Sequence, residues 1–399
     1  MSAQPIHQDR SFFAPRFVIR VDGREVDHHT VRDILDVSFE DSLDALDYFE
    51  FTLHDWDAVR NRPKYSSPYD AAGQPQRDGD AEIPAFEPGM MAELQLGYYG
   101  PEDPVSKLVG TIVSVAPSFP ESGIPQMKVR VLSDFFKMQN AQVTRDFQDM
   151  TDTAIAQALA DDLGMGVATP SGQAAGETAN EFLMLNNEYP IWFLIRRARL
   201  LGYDIAVIPA PDPSLGLTVS GGGPGEAVLY FGPSDSQSPT WELAWGKTLA
   251  RFDIALRIKD QVGKVVLRAT NPALSGSARD IEAEAGLADL DLDFPDPKLL
   301  DLVTGALADA QEVVVDEPVQ NQAEADAKAR GILRERVKDM VTAEGTTIGF
   351  PHLRAGNTVE ITGIGARYSG LWVLTKTTHR IDSAGYTTRF SARLQGRAP

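Results

Sequence analysis

The sequence predicts an α+β protein, mainly β, made of two small β-barrel domains with helical (α/β) insertions. Short segments that alternate apolar and polar residues recur up to about residue 132 and again after Thr240, with turn residues between them, as small barrels require. Between and beyond these regions the apolar period lengthens to that of a helix. A chain of 399 residues also exceeds one ordinary core, and 43% hydrophobic with 24% charged residues is a globular composition.

Arg16 to Asp22 places Phe17, Ile19 and Val21 on one strand face, and Asp22-Gly23 supplies a turn. Further strands are expected at 34–40, at 48–54 with Phe49, Phe51 and Leu53 alternating, and at 91–98, 107–115 and 126–132. Between Asp57 and Pro88 the chain is rich in Pro, Gly, Asp and Gln, so a mobile surface loop is expected there. After Lys137, Ile155, Leu159 and Leu163 share a helical face, with Thr151 or Asp152 as cap and Gly164 beyond the end. A second helix opens on Pro190, buries Ile191, Leu194, Ile195, Ala198 and Leu201, and stops at Gly202 before a strand at 203–208. Strands at 252–256 and 264–269 precede an acidic stretch from Asn271 to Pro318, in which a helix at 299–310 lacks a clean cap. Asn321 caps a longer helix whose stripe is Ala325, Ala329, Ile332, Leu333, Val337 and Met340, with Glu324 placed to return the hydrogen bond. Strands at 358–362 and 371–381, a turn at 382–385 and a returning strand with Tyr386, Thr388, Phe390 and Ala392 on one face end the chain. The expected division is 1–140 as a first β-barrel domain with the loop insertion 57–88, and 141–215 as an α/β domain. Residues 216–270 and 346–399 form a second β-barrel domain, and 271–345 an acidic insertion and helical domain.

The charge balance excludes some functions. Fifty-seven acidic against 37 basic residues give a net charge of −20, a surface that repels phosphate backbones, so nucleic acid is not expected as a specific ligand. The absence of cysteine removes disulfides, thiolate zinc sites and thiol nucleophiles. The first fifteen residues hold no apolar signal-like stretch, and no apolar run is long enough to span a membrane, so synthesis in the cytoplasm without membrane insertion is expected.

No residue pattern carries chemistry convincingly. His28 and His29 are adjacent, so in a strand they point to opposite faces and cannot share one metal. His54-Asp55-Trp56-Asp57 has no accompanying nucleophile and reads as a capped turn. The run Ser220 to Gly225 lacks the lysine and capped helix of a phosphate-binding loop, and Gly363-Ile364-Gly365 lacks the rest of a dinucleotide fingerprint. His379 lies among strand residues, where hydrogen bonding within the sheet is expected. No catalytic, cofactor-binding or metal residues are therefore assigned, no cofactor is expected, and the chain reads as not an enzyme.

The segment from Gly345 to Arg393 is the most distinctive. It runs Gly349-Phe350-Pro351-His352-Leu353, Ala355-Gly356-Asn357-Thr358-Val359, Gly363-Ile364-Gly365, Tyr368-Ser369-Gly370-Leu371-Trp372-Val373, Thr378-His379-Arg380 and Gly385-Tyr386-Thr387-Thr388. This order resembles the baseplate hub proteins of contractile phage tails, the late control protein D family, and the hub part of VgrG proteins of contractile injection systems. Phe13-Ala14-Pro15, Trp192 to Tyr203 and Ala325 to Val337 agree with it, whereas 57–88 and 271–318 depart from it, so no partner contact is carried over there.

The resemblance implies a homotrimer in which each chain supplies two barrels. Such a pseudo-six-fold symmetry adaptor joins a trimeric spike to a hexameric tube, since closed interfaces need matching surfaces on each side. It further implies as partners a separate spike protein, inner tube or tube-initiator proteins and baseplate proteins, within a phage-tail-like particle assembled from cytoplasmic subunits. A tail-tip cell-wall lytic enzyme and a glycan- or receptor-binding module are the alternative readings.

Overall fold

The computed structural model describes residues 3–6, 12–70, 72–78, 81–100, 102–201, 203–208, 216–222, 228–233, 240–259, 261–270, 279–290, 292, 294–315, 319 and 321–396. The helix stop assigned to Gly202, and Gly223 to Gly225 of the glycine run, lie outside these residues, as do 271–278 and 316–318 of the acidic stretch.

The protein is α+β and mainly β. Its centre is one fourteen-stranded sheet, and among the described residues neither half of that sheet closes on itself through hydrogen bonds. In the first half, Pro15–Val21, Met91–Tyr98, Val105–Ser118, Gln126–Ser133, Tyr48–His54 and Ile34–Ser42 lie side by side, all antiparallel. The alternation in Tyr48–His54 turns Phe49, Phe51 and Leu53 into a core where all three are fully buried.

The thirteen-residue strand Gly370–Asp382 joins this half to the second. Its later part, Lys376 to Ile381, pairs with Ile34–Ser42, and its first residues pair along the same edge with Thr358–Thr362. Its other edge carries Gly385–Gly396, followed outward by Val341–Ile348 and Leu249–Leu256. Trp241–Ala244 runs parallel to Thr358–Thr362. Ile381 and Tyr386 from the C-terminal hairpin complete the first core, while Trp372, Phe390 and Ala392 from the same hairpin belong to the second.

Two glycines show why Val341–Ile348 belongs in the sheet despite its few large apolar residues. A Cβ on Gly345 would lie 2.2 Å from the Phe390 ring, and one on Gly349 would lie 2.0 Å from the Tyr386 ring. The aromatic side chains of the neighbouring strand fill the space these residues leave empty.

Between the halves, Gly166–Pro170, Asp204–Ile208, Leu217–Ser220 and Val228–Gly232 form a four-stranded sheet, beside a two-stranded ribbon of Val143–Met150 and Asn180–Glu188. Helix Asp152–Asp161 is capped by Thr151, whose hydroxyl accepts from the Ala154 amide at 3.2 Å. Asp152, the other cap candidate, instead receives Arg197 of helix Pro190–Leu201 at 2.5 and 2.9 Å, tying the two helices together. Ile191, Leu194 and Ala198 are buried as their spacing predicts, with Phe193 beside them.

Lys264–Thr270 pairs with Asp280–Gly286 and Gln311–Val314 in a separate three-stranded sheet. Helix Gln322–Val337 burying Ala325, Ala329, Leu333 and Val337 covers that sheet. Asn321 caps this helix, accepting from the Glu324 amide at 2.9 Å. The expected uncapped helix at 299–310 is Pro297–Ala306, and it has a cap: the Asp296 carboxylate accepts from the Lys298 amide at 3.1 Å, with Pro297 in the first turn.

The stretch from Asp57 to Pro88 also differs from expectation. It packs on the first core through Tyr65, Ile83 and Phe86, all buried. The Asp55 carboxylate accepts from the amides of Lys64, Tyr65 and Ser66 at 3.1, 2.6 and 3.1 Å. Lys64 reaches Asp33 at 2.6 Å and Asp78 at 2.8 Å, and the Tyr65 hydroxyl donates to Asp33 at 2.8 Å. A few well-placed anchors hold a segment whose average composition is that of a loop.

Candidate functional site

Where the two β halves meet, a group of charged side chains is buried. Residues 350–357 make a compact turn, closed by the Arg354 amide donating to Asn357 Oδ1 at 2.8 Å and the Asn357 amide donating to the Arg354 carbonyl at 3.1 Å. The turn sends the Arg354 side chain into the interior. Its Nε donates to Asp41 Oδ2 and one terminal nitrogen to Asp47 Oδ2, both at 3.1 Å, while the other donates to the Lys107 carbonyl at 2.6 Å. Asp41 also accepts from the Ala355 amide at 3.0 Å and from the Thr377 hydroxyl.

Lys107 faces the opposite way along the same joint. Its ammonium donates to the carbonyls of Pro351 at 2.8 Å and Leu353 at 3.0 Å, and it lies 5.0 Å from the centre of the Phe39 ring, as does the Arg354 guanidinium. His379 sits beside them with Nδ1 2.8 Å from the Tyr386 hydroxyl and Nε2 2.9 Å from the Leu353 carbonyl. That carbonyl can only accept, so Nε2 carries the proton and Nδ1 accepts.

Burial sets the electrostatics. It pushes the Asp47 carboxyl well up, and the neighbouring Asp41 adds to this against the pull of Arg354. It pushes Lys107 well down, helped by Arg354, and His379 well down, helped by Lys107, so the imidazole is neutral. Burial likewise raises the Tyr386 phenol well above its usual value. Asp41, Asp47, Lys107, Arg354 and His379 are all buried, and each donor and acceptor described here is spent on another part of the chain. Chemically, the group can hold residues 41–47, 107 and 350–357 in one register.

The residues singled out in the sequence fall elsewhere, His379 excepted. His28 and His29 begin a short helix, His28–Asp33, rather than lying in a strand, because Asp27 caps it by accepting from the Thr30 amide at 2.8 Å. Their ring centres lie 4.0 Å apart with the planes tilted by 39°, and among the described residues no group of three or more His, Asp or Glu is placed to hold a metal ion. Asp55 is the centre of the turn that anchors 64–66, and His54 ends its strand. Gly363 and Gly365 both adopt positive φ in the loop after Thr358–Thr362. His379 hydrogen-bonds within the sheet and also joins the buried group.

Sequence reasoning missed Asp41, Asp47, Lys107 and Arg354. One signal was present: Asp41 is in phase with Val37 and Phe39 on the inward face of Ile34–Ser42, where a charge requires a partner.

No protein-family model matches the sequence, and no curated protein does. The fold, however, is that of solved phage tail proteins. The 43 kDa tail protein of prophage MuSo2 from Shewanella oneidensis superposes with a TM-score of 0.63 at 15% identity, over 95% of this chain and 98% of that one. A tail protein from Neisseria meningitidis MC58 gives 0.62 at 15% identity over 96% and 97%. The E. coli c3393 protein, a component of the type VI secretion system with structural similarity to the T4 tail proteins gp27 and gp5, gives 0.52 at 13% identity over 96% and 79%. At such identities the likeness is one of fold.

Proposed function

We propose that this protein is a structural hub of a contractile injection system or phage-tail baseplate. Its task is to form a trimeric, pseudo-six-fold ring that joins a trimeric spike to a hexameric tube. The observation that carries the proposal is end-to-end correspondence with tail proteins: the shared fold spans 95% of this chain and 98% of the Shewanella tail protein. In this reading the two ring-forming units are the two β halves, one drawn from 1–140 with its packed insertion 57–88 and the other from 216–270 with 346–399, although Leu217–Ser220, Val228–Gly232 and Lys264–Thr270 go with other sheets and Val341–Ile348 joins the second half. The rest of 141–215 and 271–345 lies outside them and contacts neighbours, a separate spike protein, tube proteins and baseplate proteins. The buried joint around Arg354 fixes the relative position of the two units, which a ring of six near-equivalent parts requires. The protein acts without a catalytic, cofactor or metal site, and is made in the cytoplasm and assembled into a phage-tail-like particle.

Light scattering over a concentration range, with the chain alone and with its candidate spike protein, tests the proposal. Three copies of a 43.5 kDa chain give about 130 kDa. A stable dimer in both conditions sinks the ring. A monomer that ignores the spike and hydrolyses peptidoglycan or binds glycan points to a lytic enzyme or a receptor-binding module.

A further inference from the structure

Two features of the surface are unexplained by the fold. The first is the hairpin joining Val105–Ser118 to Gln126–Ser133, in which residues 116–124 are all exposed. Its tip carries Phe119, 57% exposed, and Ile124, 56% exposed, on either side of Glu121, which has no hydrogen-bond or ion-pair partner among the described residues. Pro117, Pro120 and Pro125 restrict the tip, and the Pro125 carbonyl accepts from the Asp55 amide at 2.8 Å. A tip held this way loses little conformational freedom on docking, and large apolar side chains on such a tip cost solvation unless covered.

The second is a groove between helix Pro190–Leu201, the 43–46 loop and the C-terminal hairpin. One end is shallow and apolar, built on Leu46, Phe135 and Ile191, with Trp192 at its mouth 46% exposed. The other end, sharing Leu43, Asp44, Ile195 and Ile205 with the first, is a polar hollow of about 320 Å³. Arg393 and Asp204 neutralise one another there at 3.0 Å, and Lys338 pairs with Glu335 at 2.8 Å. The Arg257 guanidinium has no hydrogen-bond or ion-pair partner among the described residues, and Asp44, Tyr203, Asp339, Thr342 and Thr375 are among the other residues that line the hollow.

We infer that the 119–124 hairpin tip of one copy docks in this groove of a second copy. The Phe119 ring lies on Trp192, and the Glu121 carboxylate pairs with Arg257. The chemistry matches at both ends: an apolar residue two positions from a free carboxylate meets an exposed indole on the same groove as a free guanidinium. Tip and groove are different surfaces, so the contact is head-to-tail and forms a closed ring when the rotation between copies allows. The inference rests on the ring-forming reading and specifies one of its contacts.

Charge exchange tests it. Sedimentation equilibrium of the full chain is compared with Glu121→Arg, Arg257→Glu and the double variant, with circular dichroism to confirm that these surface changes leave the fold intact. Each single change is expected to weaken self-association at least about tenfold, and the double variant to recover most of it. Single variants that associate as well as the parent overturn this contact and leave the ring reading standing. A parent chain that stays monomeric both alone and with its candidate spike protein overturns both.

Discussion

Among the described residues, two buried cations each close off a pair of carboxylates: Arg354 between Asp41 and Asp47, and Lys64 between Asp33 and Asp78. The chemistry is nearly the same, but the settings are not. Arg354 and both its aspartates are buried at the joint of the two β halves, whereas Asp78 is partly open to water and Lys64 fastens one surface segment. Burial works against the Lys64 ammonium, yet the hydrogen bonds it donates to Asp33 and Asp78 raise its pKa, and the bond from Lys64 lowers Asp78. At Arg354 the surroundings still push Asp47 up and Lys107 down. The interior group is therefore held together against its own desolvation, and what it secures is register more than stability.

Removing each cation separates the two cases. Arg354→Leu strands two buried carboxylates and is expected to cost about 3–5 kcal/mol, read as a lower urea midpoint for the whole molecule. Gly349→Ala, which drives a methyl into the Tyr386 ring beside the same joint, is expected to cost about 1–3 kcal/mol in the same measurement. Lys64→Met leaves Asp78 free to hydrate, so about 1–2 kcal/mol is expected, with faster amide exchange confined to residues 57–88. Equal global losses for Arg354→Leu and Lys64→Met would erase the distinction.

The pH response sharpens it further. His379 has a folded pKa well below 6.5, so above that value its imidazole is neutral in both the folded and the unfolded chain and its contribution is complete. Below pH 6.5 the unfolded chain takes up a proton that the folded chain refuses, and stability falls by up to about 1.4 kcal/mol per pH unit until the folded pKa is reached. Lys107 acts with the same sign starting below pH 10.5, and Asp47, whose folded pKa is raised, acts with the opposite sign. The difference between the parent and His379→Gln isolates the histidine: its slope should be confined to the region below pH 6.5. A flat difference curve there would place a charged imidazole in the joint.

How much of this was legible depends on how local the cause is. Tyr48–His54, Met91–Tyr98 and Thr358–Thr362 have the bounds that their alternation predicts, because a period of two states which face is inward. Asn321 and Thr151 cap helices three residues from the amides they satisfy. Val341–Ile348 escaped because its core is filled by Phe390 and Tyr386 of another strand, and the packing of 57–88 escaped because composition averages over the few side chains that anchor it.

Periodicity, caps and turns act within a few residues, and they settle which segments become strands and helices and which way each one faces. Only the folded chain decides that Gly370–Asp382 serves both halves of one sheet, or that Arg354 meets Asp41, 313 residues away. A buried charge must be paired, but the partner is whichever residue the packing brings within about 3 Å, and sequence distance says nothing about that.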